Sequence, residues 1–484
     1  MNLYARLEIL AHCQPDKLAI ETADRKLTYA ELDEVIRRIA GRLRAEGVGR
    51  GDVVGLRLRD TPEHLAALFA CLKLGAVGLA IDWRTAKAEF LRILDQFKPK
   101  VCFIDGNVRP EFDTVYLKTE EAEQSEPDTT PYVDVTDEPM MYNLTSGTTG
   151  LPKAMVVTHE NIYARSMSRS MAGVVLPEDR YLAALPFAYS AGRDHACNAL
   201  LVGATLVLFR ALYEPMELVE FVNDNNVTAM ALSPNVTRSL TALETKGGPL
   251  MPKLRAFTST TGKLQPEDRA AIRERVAPHL IDYYGSTGTG IMAYINTAED
   301  GATNTAAGRP ALGIEVQIVD DDGNVLSGET VGNIRVRGPG IALKAVGSVM
   351  SPTEGFRDGW YYPGDLGHFG TDGLLHLDGR IADLIKRGGL MVYAQEVEQA
   401  LRRHPAVADA AVVGVPSEKL GQEVAAFVVR KGDVDAKELV RHCRGEIAPF
   451  KVPTIFEFPD DLPRNTNGKV VKAKLLEQFE KEPS

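Results

Sequence analysis

At 484 residues the chain is long enough for more than one domain and for a large buried core. Its 55 basic and 66 acidic residues leave a net charge of −11, which argues against a general binder of nucleic acid or of anionic membrane. Five cysteines (Cys13, Cys71, Cys102, Cys197 and Cys443) are scattered and never in C-x-x-C spacing, so they read as reduced thiols of a cytoplasmic protein, without metal cluster or disulfide framework.

Glu8 and His12 interrupt the only stretch near the N-terminus that could pass for a signal-peptide core. Thr28-Tyr29-Ala30-Glu31 is a capping box, followed at helical spacing by Leu32, Val35, Ile36, Ile39, Ala40 and Leu43 before Gly47. A strand follows over 52–58 and a helix over 63–73. The apolar run 65–81 has Lys73 in its middle and Gly75 and Gly78 behind it, so it reads as a buried helix leading into a strand, with no membrane span. Strands over 101–104, 204–208, 227–232 and 254–259 continue the alternation, which predicts stacked α/β layers around a largely parallel sheet. Residues 110–138 are charged and poor in aliphatics and read as a surface excursion.

Met141-Tyr142-Asn143-Leu144 runs as a strand into Thr145-Ser146-Gly147-Thr148-Thr149-Gly150, closed by Leu151-Pro152-Lys153. Glycines let a backbone turn its N–H groups inward, hydroxyls add donors for phosphate oxygens, and the lysine adds a positive charge. The spacing is not that of a P-loop. This stretch resembles the signature loop of the adenylate-forming superfamily, which includes acyl-CoA synthetases, peptide-synthetase adenylation domains and beetle luciferases. Further motifs, in the same order, carry the likeness over nearly the whole chain, and it most resembles an acyl-CoA synthetase. The resemblance implies an α/β protein. A large N-terminal domain of layered α/β subdomains with mostly parallel sheets (1–380) would bind ATP and the acyl group, and a small mobile α+β C-terminal domain (381–484) would carry the catalytic lysine.

Within 185–192, Tyr189 stands where related synthetases carry an aromatic residue, commonly His, beside the acyl pocket, with Ser190 and Gly192 next to it. Arg193 follows; in a pocket it could pair with a second carboxylate of the substrate, and on the surface it would be solvated. The Phe-Asp start by which amino-acid-activating domains hold the substrate ammonium is missing, which disfavours an α-amino acid. Residues 258–264 take the place of a Gly-rich turn lining adenine and acyl group. There Thr260 and Thr261 replace glycines, Gly262 remains, and Lys263 replaces proline.

In Asp282-Tyr283-Tyr284-Gly285-Ser286-Thr287-Gly288 the resemblance places Tyr284 against adenine, Asp282 at its exocyclic amine and Thr287 at the α-phosphate. The family's next residue is a Glu that helps to hold Mg²⁺; here it is Gly288, which leaves the metal ligands unassigned. Gly332 to Gly340 resembles an architectural motif. Asp365, within Trp360 to Gly367, matches the ribose-binding aspartate, and Arg380 matches the second ribose contact at the border of the small domain.

Ala382 stands at the hinge position, with Asp383 next. Gly388 and Gly389 match the loop lining the pantetheine tunnel. Lys469, in Leu462 to Lys469, matches the catalytic lysine of the C-terminal element. The implied reaction has two steps: a carboxylate attacks the α-phosphorus of ATP to give acyl-adenylate and pyrophosphate, and the thiol of CoA then takes the acyl group. The acid would be small to medium in size, aromatic acids included. Two other readings stay open: a stand-alone adenylating enzyme loading a carrier protein, and a nucleotide-binding relative impaired in adenylation at Gly288. A homodimer stays open as the assembly.

Overall fold

The computed structural model describes residues 1–106, 112–145, 153–209, 214–245, 247–347, 354–464 and 470–480. The chain divides into two compact units, one of Met1–Glu315 with Val336–Met350 and one of Val316–Arg335 with Ser351–Ser484.

In the first unit the helix Tyr29–Ala45 starts as the sequence predicts: the Thr28 hydroxyl accepts from the Glu31 N–H, and the Glu31 carboxylate accepts from the Thr28 N–H. Its apolar face buries Leu32, Ile36, Ile39, Ala40 and Leu43. The next helix, Pro62–Leu74, is buried all round and ends on Gly75 in the left-handed conformation at φ 67°, a turn that glycine alone makes without strain. The strand Val77–Ala80 follows directly. Lys73 in that run is buried, with its ammonium on the Thr130 carbonyl and 3.6 Å from Asp128. Among the described residues no helix is long and apolar enough to cross a membrane.

Two sheets form this unit. In the seven-stranded sheet Val115–Leu117, Val101–Ile104, Val53–Arg57, Val77–Ala80 and Pro139–Thr145 run parallel, and Lys153–Thr158 turns back antiparallel. In the nine-stranded sheet Leu18–Glu21, Thr205–Leu208, Arg180–Ala183, Ala229–Leu232, Ala256–Ser259 and Leu280–Ser286 run parallel, with Gly290–Asn296 antiparallel to the last of them and Arg309–Pro310 and Lys26–Thr28 at the two edges. Four-residue strands of wholly buried side chains are what a parallel sheet covered on both faces requires. One reading needs correction. The excursion expected over 110–138 is integrated where it is described: Val115–Leu117 extends the sheet, and the buried Asp128 pairs with Arg44 and Lys73.

The second unit holds a mostly antiparallel six-stranded sheet that includes Asp365–Phe369 and Leu375–Arg380, and a five-stranded sheet built on the hairpin Val407–Ser417 and Gly421–Arg430. The helix Ala394–Arg402 lays Val397, Ala400 and Leu401 on the hairpin's Ala410, Val412, Val424, Ala426 and Val428. Alternate residues of both strands face this core, as the two-residue period of a strand dictates.

Candidate functional site

Strand pairing brings the two ends of the expected phosphate loop together, with Thr145 opposite Lys153. Ser146, Gly147, Thr148, Thr149 and Gly150 lie outside the described residues. Lys153 is buried at the start of its strand.

Tyr189 is the N-cap of the helix Ser190–Val202, and its phenol donates to Asp82 Oδ2 at 3.0 Å. Arg84 holds the same carboxylate at 2.6 Å. At Gly192 a Cβ would come within 2.4 Å of the Leu185 and Pro186 carbonyl oxygens, so only glycine lets the helix start this close to the preceding chain. The Ser190 hydroxyl donates to Thr287 Oγ1 at 3.3 Å, which joins the expected acyl and phosphate segments. Arg193 fits neither of its two expected settings. It is 2% exposed, and its guanidinium donates to the Phe187 carbonyl at 2.6 Å and to Asn143 Oδ1. Those bonds compensate for burying its charge and tie the helix to the strand entering the phosphate loop.

The 282–287 stretch splits into a buried half and an accessible one. Asp282 is buried, and its Oδ2 accepts from Arg269 Nε at 2.8 Å; burial pushes the carboxyl up, against the pull of Arg269. Tyr283 is buried too, with its phenol 2.7 Å from His195 Nε2, while Tyr181 meets His195 Nδ1 at 2.6 Å. Burial holds His195 well below its ordinary pKa, so the neutral ring accepts from one phenol and donates to the other. Tyr284, Gly285, Ser286 and Thr287 remain partly or fully accessible. Gly285 has to be glycine, because a Cβ there would lie 2.0 Å from the Gly290 carbonyl oxygen.

The 258–262 turn keeps a glycine's backbone without the glycine. Thr261 has φ 76°, a left-handed conformation that costs a β-branched residue about 1–3 kcal/mol and that clusters at ligand sites. Gly262 is exposed beside it, and the Lys263 carbonyl accepts from Arg238 at 3.2 Å.

In the second unit Asp365 and Arg380 face each other across an antiparallel pair and are joined at 2.9 Å. Ala382 is exposed in the short 3₁₀ turn Ile381–Asp383, and Lys472 links Asp383 (3.2 Å) to Glu398 (2.8 Å). Gly388 and Gly389, at φ 57° and 81°, are the two central residues of a tight hairpin that demands positive φ at both. Lys469 lies outside the described residues, between Arg464 and Val470, which pair with each other.

The sequence profile of the AMP-binding enzyme family matches residues 7–344, and that of the AMP-binding enzyme C-terminal domain matches 396–469. The chain belongs to the AMP-binding enzyme family. It is 30% identical to the indoleacetate–CoA ligase of Aromatoleum aromaticum over 98% of this chain and 97% of that protein. ATP-bound MatB from Rhodopseudomonas palustris superposes with a TM-score of 0.91 at 27% identity, covering 99% of this chain and 98% of MatB. The o-succinylbenzoate CoA synthetase MenE from Bacillus subtilis, in complex with ATP and magnesium, superposes with a TM-score of 0.87 at 27% identity, covering 97% and 98%.

Two features of this AMP-binding enzyme escape a reading of the sequence. Among the described residues no three His, Cys, Asp or Glu side chains converge on a point that a metal ion could occupy. The carbonyl of Gly288, at the family's glutamate position, instead accepts from the Ala342 N–H and from Arg165. Arg165 is the second feature. It sits on the helix His159–Met171, wholly enclosed with Asp194 and Arg169, and no motif marks it.

Proposed function

We propose that this AMP-binding enzyme is an ATP-dependent acid–thiol ligase that activates a carboxylic acid as its acyl-adenylate, releases pyrophosphate and passes the acyl group to CoA. The observation that carries the reading is the family match together with a likeness to a CoA ligase along almost the entire chain.

The acid needs no general base, since a carboxylic acid of pKa about 4 is already ionised at neutral pH. The obstacle is charge, an anion approaching a polyanion. Lys469, brought in by the C-terminal segment, lies between the attacking oxygen and the α-phosphate, and the donors of 145–153 neutralise the departing pyrophosphate. Thr287 holds the α-phosphate, Tyr284 stacks on adenine, and Asp365 with Arg380 binds the ribose hydroxyls. Magnesium would arrive with ATP as part of the substrate and take much of its coordination from phosphate oxygens and water, with which the glycine at 288 is compatible.

Rotation about Ala382 then moves residues 381–484 against 1–380, withdrawing Lys469 and bringing Gly388 and Gly389 to the pantetheine arm. The acid is small to medium in size. Aromatic acids are the first to test, because the named relatives act on indoleacetate and o-succinylbenzoate. The enzyme works in the cytoplasm.

The test is product analysis with MgATP, a panel of acids and either CoA or a pantetheinylated carrier protein. An acyl-CoA together with AMP supports the reading. Acyl transfer to the carrier alone replaces CoA as acceptor, and AMP-free mixtures with every acid overturn the reading.

A further inference from the structure

Arg165 is 2% exposed, and each of its three guanidinium nitrogens has a partner. Nε donates to the Gly340 carbonyl at 2.8 Å, and Nη1 to Asp194 Oδ2 at 3.0 Å. Nη2 reaches the carbonyls of Thr287 (3.3 Å) and Gly288 (3.1 Å). The planar fork makes these bonds from one rigid group, so the acceptors are fixed relative to one another.

Their places in the chain give the arrangement its meaning. Arg165 lies almost two turns into a helix whose capping box, Thr158 with Asn161, follows directly on the strand that leaves the 145–153 loop. Asp194 lies on the helix that starts at Ser190, whose hydroxyl meets Thr287. One buried cation thus joins three segments assigned to phosphate and acyl binding.

At 288 the chain has glycine, the residue with the most backbone freedom, in the turn that must hold Thr287 still. In a trans peptide the C=O and the next N–H point in opposite directions. With the Thr287 carbonyl held on Arg165, the Gly288 N–H is fixed on the opposite side of that peptide and the backbone that carries the Thr287 side chain is held, while the Ser190 hydroxyl meets its Oγ1 at 3.3 Å. Gly290 and Gly340 pack against the arginine so closely that a Cβ would lie 2.8 Å and 3.4 Å from its side-chain carbons.

We propose that Arg165 is a positioning residue for the nucleotide phosphate: it clamps the 287–288 peptide and so sets the Thr287 hydroxyl at the α-phosphate. The proposal rests on the ligase reading above. Arg165 itself touches no substrate.

The test is calorimetric titration of the full chain with AMP and, separately, with adenosine, for the parent, Arg165→Gln and Arg165→Lys. The clamp acts on phosphate and not on base. Arg165→Gln therefore loses about tenfold or more in AMP affinity and keeps its adenosine affinity within about twofold, with Arg165→Lys between parent and Gln. AMP and adenosine affinities that fall together, or an AMP affinity that does not fall, overturn the proposal. If Arg165→Gln does not fold, the same pair of titrations on Arg165→Lys decides by the same criterion. A parent that binds AMP no better than adenosine overturns the ligase reading and the proposal with it.

Discussion

Asp365 and Arg380 stand directly opposite each other on two antiparallel strands, and the Arg380 Nε donates to the Asp365 carboxylate at 2.9 Å. The arginine holds the carboxylate in place while leaving it lone pairs for a diol. Asp365→Ala removes charge-assisted acceptors worth about 1.5–3 kcal/mol, so the KM for ATP rises by about 10–100-fold while kcat changes less. Steady-state pyrophosphate release against ATP concentration measures this. An unchanged KM would remove Asp365 from the nucleotide site.

Gly288→Glu places a carboxylate where the family resemblance implies a metal-holding glutamate. The Mg²⁺ concentration for half-maximal pyrophosphate release should fall by about tenfold, the scale on which added ligation shifts metal affinity. A metal titration at fixed ATP reads it. No shift would mean that position 288 does not face the metal.

A sequence can suggest a chemistry where the residue types lie in short contiguous runs, as in Thr145 to Lys153 and Tyr284 to Thr287. The alternation of helices and strands was legible for the same local reason, since it is written in spacing. Arg165 and Asp194 were not. They are 29 residues apart, and two helices have to pack before the pair exists. Taken alone, an arginine on an amphipathic helix reads as solvated, and Arg193 misled in the same way. Asp282 and Tyr284 share one face of their strand and Tyr283 takes the other, and the protein partners of the buried pair, Arg269 for Asp282 and His195 for Tyr283, lie 13 and 88 residues away, where no local motif points to them.

Thr261 gives a prediction about stability. Its φ of 76° suits glycine, so Thr261→Gly relieves strain of about 1–3 kcal/mol and returns about 0.5–1 kcal/mol as unfolded-chain entropy. A net gain of about 1 kcal/mol should appear as a higher urea midpoint with the slope unchanged. A lower midpoint would show that the threonine side chain makes bonds worth more than the strain.

Stability should also depend on pH through two enclosed histidines. Burial pulls His64 down from 6.5 to about 4, and His159 likewise to about 4. The His64 Nδ1–H donates to the Arg59 carbonyl, and His159 Nδ1 accepts from the Leu3 N–H, which requires a neutral ring there; burial keeps His64 neutral as well. The unfolded chain takes up protons that the folded one refuses. Their contribution is therefore whole above pH 6.5 and is lost as pH falls to about 4. His64→Gln keeps a donor for Arg59 and cannot titrate, so its thermal midpoint should fall less steeply across that window than the parent's. Equal slopes would contradict the assignment.

On this mechanism Lys469 lets an ionised acid attack the α-phosphate of ATP. Exchange of labelled pyrophosphate into ATP, run with a panel of acids on the parent and on Lys469→Ala, tests it most directly. The parent should show acid-dependent exchange and Lys469→Ala a loss of about 10²–10³, with thioester formation from supplied acyl-adenylate preserved. A parent that exchanges with no acid, or a Lys469→Ala variant that exchanges as fast as the parent, would contradict it.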